Sequence, residues 1–466
     1  MVYLHNSQSH YVDNIKETTK TYYNNALDYI GTPDANSTVG NLLNWASSNN
    51  NNDNNNNGNS PAWIPEGNDL ETMNELISKL NDPLFQDFES FTDDDYKNIF
   101  TDRQILYDDV VKNSQVSEPK VDNLVYKDDD LAGQAKATIL SLVRNEDQKE
   151  IISAIRQMED HFNKNFNYPY TFLNDDEFTE EFKEAIKEVV PTDRILQFGR
   201  IESEIWDRPS SIDDEKYQQC IEKLDQEEVQ YVKKESYHNM CRFYSKNFYK
   251  HPLLQDYKYT WRLEPGINFY CDINYDVFQF MELNNKIYGF VLNLYDSPES
   301  IRSLWTTTME FINSNPEYLN SNGAFEWLKD NGQKPNNFNI TGGYSTCHFW
   351  TNFEITNLEF LRSEPYEKFM DFLDEKGGFY YERWGDAPVR SIALALFADK
   401  RRIHWFRDIG YNHAPYTNCP KCPPDSNRCN GNCKPGHFTP WKELNIENCQ
   451  PVWIKYIMNE EERNLY

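Results

Sequence analysis

Thr138-Ile139-Leu140-Ser141-Leu142-Val143 is an unbroken β-prone run that stops at Arg144-Asn145. Downstream, Ile151, Ile152, Ile155, Met158 and Phe162 recur at helical spacing and predict an amphipathic helix. Tyr170-Thr171-Phe172-Leu173-Asn174 then reads as a second apolar strand, and Phe178 to Val190 as a second helix. Strands that are apolar throughout and alternate with helices predict a largely parallel sheet covered on both faces. Ligands of such sheets bind beyond the carboxyl ends of the strands, which puts Arg144 at the expected binding edge. The competing role for Arg144 is an ion pair with a surface carboxylate such as Glu146. No glycine-rich phosphate loop is present, so phosphates at this edge must be held by arginine, a metal or tyrosine hydroxyls.

Farther along, Tyr259-Thr260-Trp261-Arg262-Leu263 is another strand, which delivers Glu264-Pro265-Gly266 to the same edge. Pro265 has no N–H to give the ladder, so the Glu264 carboxylate projects from a strand end. Ser236 to Phe243, with Tyr237, is an amphipathic helix in which a tyrosine is ordinarily a core residue. Ser363-Glu364-Pro365 opens a helix that ends at Gly377-Gly378. Asp386 precedes Pro388 at the start of a helix through Phe397, a position where an aspartate can serve as a cap. Ile403-His404-Trp405-Phe406 is a last strand, followed by the loop bearing His413.

Between these lies Tyr344-Ser345-Thr346-Cys347-His348-Phe349-Trp350-Thr351-Asn352-Phe353-Glu354-Ile355, which has no glycine or proline. Its aromatics and Ile355 predict burial. A carboxylate buried without a charged partner is costly, so Glu354 is predicted to have a chemical task or a firm hydrogen-bond network.

The 466 residues have room for one large domain with appendages or for two ordinary domains. A net charge of −29 repels nucleic acid and anionic lipid, and neither is expected as a partner. The 30 Tyr and 28 Phe suit a groove in which sugar rings lie on aromatic faces. Residues 1–60 end in an asparagine run from Asn49 to Asn59 and are expected to form a disordered stem. Short helices beginning near Asp69 and Thr92 place residues 61–134 as a helical stem segment packed on a catalytic domain of residues 135–466. No apolar run reaches the length of a membrane span, and the first sixty residues hold no signal-peptide core.

Cys419, Cys422, Cys429, Cys433 and Cys449 cluster near the end, in a Pro-, Gly- and Asn-rich loop of about residues 417–450. The first four have spacing a zinc site can use, and in an oxidising lumen the same spacing reads as mutual disulfides, the reading favoured here. The triplets at Asn36 and Asn339 fit a lumenal, glycosylated chain.

Two further runs, Tyr381-Glu382-Arg383-Trp384-Gly385-Asp386-Ala387-Pro388-Val389 and Gly410-Tyr411-Asn412-His413-Ala414-Pro415-Tyr416, complete a pattern with the Glu354 stretch. Together they resemble the fungal glycolipid and glycoprotein alpha-1,2-mannosyltransferases, family 15 of the glycosyltransferases, from about Ala135 to Cys419. The resemblance implies an α/β fold: a single GT-A-like nucleotide-sugar transferase domain with a mixed, largely parallel central sheet flanked by helices. It implies retaining transfer of mannose from GDP-mannose to a mannose hydroxyl of a glycoprotein or glycolipid, with Mn2+, in the Golgi lumen. The family is anchored by an N-terminal membrane span, which this sequence lacks, so the chain is expected to be a shortened form or a departure from the pattern.

Carried over position by position, the resemblance implies that Arg144, Tyr237 and Glu264 contact the donor. Glu264 and His413 would hold the metal, and a mixed oxygen and nitrogen shell suits manganese. Glu354 would be the nucleophile or electrostatic stabiliser opposite the diphosphate, and double displacement and front-face attack both accommodate it. Asp386 would act in the acceptor site. Gly266 stands where the family often has aspartate, which puts in doubt any contact made by that side chain; Asp272 is the fallback ligand. Two rival readings remain: a non-catalytic sugar-binding or scaffold member, with Gly266 a sign of decay, or a retaining glycoside hydrolase using Glu354 and Asp386.

Overall fold

In the computed structural model, which describes residues 70–81, 93–119, 134–429 and 432–466, the opening run is strand β1, Ala137–Leu142, with all but its last residue buried. The strands that follow are β2 Tyr170–Asn174, β3 Leu196–Arg200, β4 Tyr259–Arg262, β5 Ile267–Phe269, β6 Tyr288–Phe290, β7 Asn293–Tyr295, β8 Cys347–Phe349, β9 Ile355–Asn357, β10 Ile403–Trp405, β11 Tyr411–His413 and β12 Tyr416–Asn418. The predicted stem of residues 1–60 lies outside the described residues.

Seven strands form the central sheet in the order β10-β6-β9-β4-β1-β2-β3. β4, β1, β2 and β3 are mutually parallel, and β10 is parallel to β6. The helix Gln148–Met158 makes the first crossover, burying Ile151, Ala154, Ile155 and Met158. The second, Glu180–Lys187, is shorter than predicted at both ends; Thr179 caps its start, accepting from the Phe182 amide at 3.1 Å.

The exception to parallel pairing determines where the site lies. β9 runs antiparallel to both neighbours, with Ile355 opposite Trp261 of β4 and Gly289 of β6. Its first residue therefore lies among the carboxyl ends of its neighbours. Gly289 is needed there, because a Cβ would come within 2.3 Å of the Phe406 ring.

The stretch from Tyr344 to Ile355 is not one extended run. β8 pairs with β7 in a separate two-stranded sheet, the chain turns at Thr351-Asn352, and β9 then enters the large sheet. Its aromatics belong to two different layers, which forces the break. Phe349 packs on Trp327, Phe290 and Trp453, whereas Phe353 packs on Trp261 and Tyr411.

Leu70–Asn81 and Asp93–Tyr107 are helices. Leu76, Leu80 and Tyr107 join the main core, Lys329 donates to the Leu80 carbonyl at 2.9 Å, and buried Arg103 pairs with buried Asp330 at 2.6 Å. Among the described residues no helix is long and apolar enough to cross a membrane.

The cysteines follow the disulfide reading, with pairing inside the C-terminal set, and Cys271 is an addition from outside it. Cys419 pairs with Cys433 and Cys347 with Cys449, and Cys429 pairs with one of Cys422 and Cys271, whose sulfurs both lie against it. Cys271 follows β5 and forms an isolated bridge with Cys429, a proximity created by the fold and invisible in local spacing. The Cys347–Cys449 bond closes a loop of 102 residues onto the helix Gln450–Tyr456. Replacing both cysteines by alanine is expected to lower unfolding free energy by about 2–4 kcal/mol in denaturant titrations, through a freer unfolded chain. A change below about 0.5 kcal/mol would show that this cross-link does not restrain the unfolded ensemble.

Candidate active site

Arg262 closes β4 with a buried guanidinium, a costly placement unless carboxylates meet it. Nε donates to Glu264 Oε1 at 2.5 Å and Nη1 to Asp386 Oδ2 at 2.7 Å, while the group lies 3.6 Å over the Tyr244 ring. Asp386 is the first residue of the helix Asp386–Phe397. Its carboxylate does not cap that helix; it accepts from Arg262 and, at 2.8 Å, from the Thr351 hydroxyl. One turn on, Arg390 shares the face of Asp386. It is wholly buried, donates from Nη2 to the Tyr244 carbonyl at 2.6 Å, and has Nε and Nη1 without hydrogen-bond partners.

Glu354 immediately precedes β9, so the antiparallel strand carries it to the edge where β4 ends. Its carbonyl accepts from the Arg262 amide at 2.9 Å. The side chain is 2% exposed, with Oε2 lacking a hydrogen-bond partner. Burial raises its pKa above the usual carboxylate value; Arg390 and Arg262 oppose that shift, Asp386 adds to it, and Tyr288 lowers it slightly. An unsatisfied buried carboxylate oxygen among cations is suited to meet positive charge that arrives with a ligand.

Glu264 and His413 are brought together by the small sheet. β5 pairs with β11 so that Ile267 faces His413, three residues past Glu264. Burial lowers the His413 pKa, with Glu264 opposing, and so favours the neutral imidazole that binds metals. His413 Nδ1 is buried without a hydrogen-bond partner, and the ring meets Trp350 edge-on at 5.3 Å. An orphaned imidazole nitrogen beside a carboxylate fits a divalent ion of intermediate hardness such as manganese.

Tyr237 lies on the helix Glu235–Arg242, stacked on Tyr231 at 4.9 Å. Arg383 approaches its hydroxyl and Asp296, each at 3.5 Å. Arg144 is elsewhere on the same edge: Leu140 of β1 is in register with Arg262, and Arg144 follows as the strand exits. Its half-exposed side chain is held by Asp147 at 3.0 and 3.1 Å and by Glu146 at 2.9 Å, outside the buried charge cluster. Asp272, the fallback ligand, pairs with His161 at 2.8 Å beside Cys271. Gly266 has φ +79° and no atom within 4 Å of a Cβ position, so the turn conformation rather than crowding favours glycine there.

Sequence reasoning gave no role to Arg262, Arg390, Tyr288 or Asp296. Two signals were available. An arginine inside an apolar strand needs carboxylates, and Asp386 with Arg390 has the spacing of one helix face.

The sequence profile described as glycolipid 2-alpha-mannosyltransferase matches residues 89–458. The chain belongs to this family. The probable mannosyltransferase KTR4 of Saccharomyces cerevisiae is 62% identical over 398 residues, 85% of either chain. Glycolipid 2-alpha-mannosyltransferase 1 of Candida albicans is 44% identical over 336 residues, 70% of this chain and 75% of that one. The X-ray structure of mannosyltransferase Ktr4p from S. cerevisiae in complex with GDP superposes with a TM-score of 0.82 at 62% identity, covering 86% of this chain and all of that one. Core-mannan synthase A of Aspergillus fumigatus, in its Mn/GDP form, gives 0.69 at 43% identity, over 74% and 92%. The mixed sheet is thus that of the GT-A-like mannosyltransferases, and mannosyl transfer is the reaction of the family.

Proposed function

We propose that this glycolipid 2-alpha-mannosyltransferase family member transfers mannose from GDP-mannose, with retention, to a hydroxyl of a mannose on a glycoprotein or glycolipid, making an alpha-1,2 linkage in the Golgi lumen. The observation that carries this reading is Glu354, buried with one oxygen unsatisfied at the carboxyl edge of the sheet, in one charge cluster with Arg262, Asp386 and Arg390. GDP and manganese with GDP, named for the yeast and Aspergillus relatives, support the choice of donor and ion.

Departure of a diphosphate leaves positive charge on the anomeric carbon. Ionised Glu354 would stabilise that charge from the opposite face. Asp386, oriented by Arg262 and Thr351, would accept the proton of the attacking hydroxyl. Glu264 and His413 would hold a divalent ion, which when bound neutralises the leaving diphosphate. Arg144 and Tyr237 would contact the donor, Arg144 after exchanging its own-loop carboxylates for phosphate.

Incubation of the protein with GDP-mannose, manganese and methyl α-mannoside, followed by NMR of the product, is expected to show an α-(1→2)-linked disaccharide. No turnover, or a β linkage, would overturn the reading. Tyr237→Phe is expected to weaken GDP binding by about tenfold in calorimetry, the value of one hydrogen bond. Unchanged GDP affinity would remove Tyr237 from the donor site.

A further inference from the structure

Tyr231 breaks two rules at once. It is a large aromatic left 51% exposed, and its backbone lies in the left-handed region at φ +62°. A bulky side chain at positive φ is costly, and an exposed turn position of this kind ordinarily holds glycine or asparagine. The turn is nevertheless held firmly. Val229 and Val232 are buried on either side of the tyrosine, Nε2 of buried His238 lies 2.7 Å from the Val232 carbonyl, and the Lys234 amide donates to the Tyr231 carbonyl at 2.9 Å. Strain that the surroundings enforce in this way is characteristic of positions where the side chain has a task.

That side chain covers Tyr237. The two rings stack at 4.9 Å with 20° between their planes, and the Arg383 guanidinium lies 5.6 Å from the centre of the Tyr237 ring. Arg383 precedes Asp386 by three residues, and both Asp386 and Asp296 act by charge on the Tyr237 hydroxyl. Going outward from Asp386, the chain of contacts is Arg383, Tyr237, Tyr231 and then solvent. Among the described residues the exposed aromatics are Tyr231 and Trp441, and Trp441 belongs to the cysteine-rich loop.

We propose that Tyr231 is the platform for the second sugar of the acceptor, so that the enzyme takes acceptors of two or more linked mannoses in preference to a single one. The proposal rests on the mannosyl-transfer reading above. With the reacting mannose at Asp386, the sugar attached to it extends toward solvent, and Tyr231 is the next aromatic in that direction. The C–H face of a pyranose packs on an aromatic face, and a tyrosine adds a polar tip for the sugar hydroxyls. Lys234 Nζ, 5.3 Å from the ring centre on an exposed side chain, supplies a further donor to the same sugar.

The test compares initial rates with two acceptors, methyl α-mannoside and the corresponding α-(1→2)-linked mannobioside, using the full chain, GDP-mannose and manganese. The unsubstituted protein is expected to show a kcat/KM about tenfold higher for the mannobioside, the value of one good aromatic contact. Tyr231→Gly removes the ring while suiting the backbone at φ +62°, and its melting temperature verifies that the turn is kept. This variant is expected to lose at least about fivefold more with the mannobioside than with the mannoside, chiefly in KM. Tyr231→Phe keeps the ring and should restore most of the margin. Equal losses with both acceptors would overturn the proposal and make Tyr231 a support for Tyr237, and so would no loss with either. NMR titration of the two sugars into the GDP-loaded protein separates the subsite from the reaction. Tighter binding of the mannobioside that disappears in Tyr231→Gly, without turnover of either sugar, would keep the subsite and remove the transfer reading. Turnover with equal affinity for both sugars would do the reverse.

Discussion

Glu354→Gln is expected to lower the rate of mannosyl transfer by on the order of 10³ while leaving GDP affinity within about threefold. The substitution keeps the shape and removes only the charge. GDP lacks the mannosyl group, so a carboxylate that acts on the mannose has nothing to offer it. The loss should therefore appear in kcat and leave the nucleotide dissociation constant almost untouched. Equal losses in both would mark Glu354 as a support for the sheet edge, since its carbonyl is also bonded to the Arg262 amide.

The same substitution separates function from stability. Burial raises the Glu354 pKa, so the folded protein binds this proton more tightly than the unfolded chain does. Stability then falls as pH rises from the ordinary glutamate range through the raised value, and stays lower above it. Glu354→Gln should consequently melt higher than the unsubstituted protein at neutral pH, with the difference vanishing below the ordinary glutamate pKa. A variant that melts lower at neutral pH would mean that Arg262 and Arg390 hold the ionised form more firmly than burial opposes it. On the proposed mechanism transfer needs the ionised form, so the acid limb of the rate profile should lie above the usual carboxylate range.

Much of this frame was readable in advance because β1, β2 and β4 are buried along nearly their whole length, and such strands declare themselves as continuous apolar runs. β9 gives no comparable signal. It has three residues, and its direction is set by a turn at Thr351-Asn352 that has neither glycine nor proline. That reversal is what carries Glu354 to the carboxyl edge of the sheet, so its burial was legible while its position was not. Arg262 and Arg390 were hidden for another reason: each is charged at a position where the pattern calls for an apolar residue, and beyond the nearby Glu264 the explanation lies in Asp386, 124 residues from Arg262, and in Glu354 on another element. Asp386 was legible as a helix start, but the presence of Arg262 decides that its carboxylate faces the cluster instead of the helix N–H groups. The partner of Cys347, at a separation of 102, and the approach of Cys271 to Cys429 could not be read from spacing.

His413→Ala is expected to weaken manganese binding to the GDP-bound protein by at least about 100-fold, with far less effect on the GDP-free protein. A chain with a net charge of −29 must neutralise a diphosphate locally, and no glycine-rich cradle is present to do so. Glu264 already shares Oε1 with Arg262, so as a proposed ligand it would enter the shell as part of an ion pair and be weaker than an unpaired carboxylate. His413 is the opposite case: its imidazole is kept neutral by burial, and Nδ1 has no hydrogen bond to exchange for the ion. Two protein ligands would leave most of the shell to diphosphate oxygens and water, which would make nucleotide and ion binding mutually dependent. Titrating manganese with and without GDP measures this coupling directly, and His413→Ala should abolish most of it while leaving the melting temperature nearly unchanged. Tight manganese binding without GDP, or unchanged coupling in the variant, would place the ion elsewhere. The paired Asp272 and His161 would then be the next residues to replace.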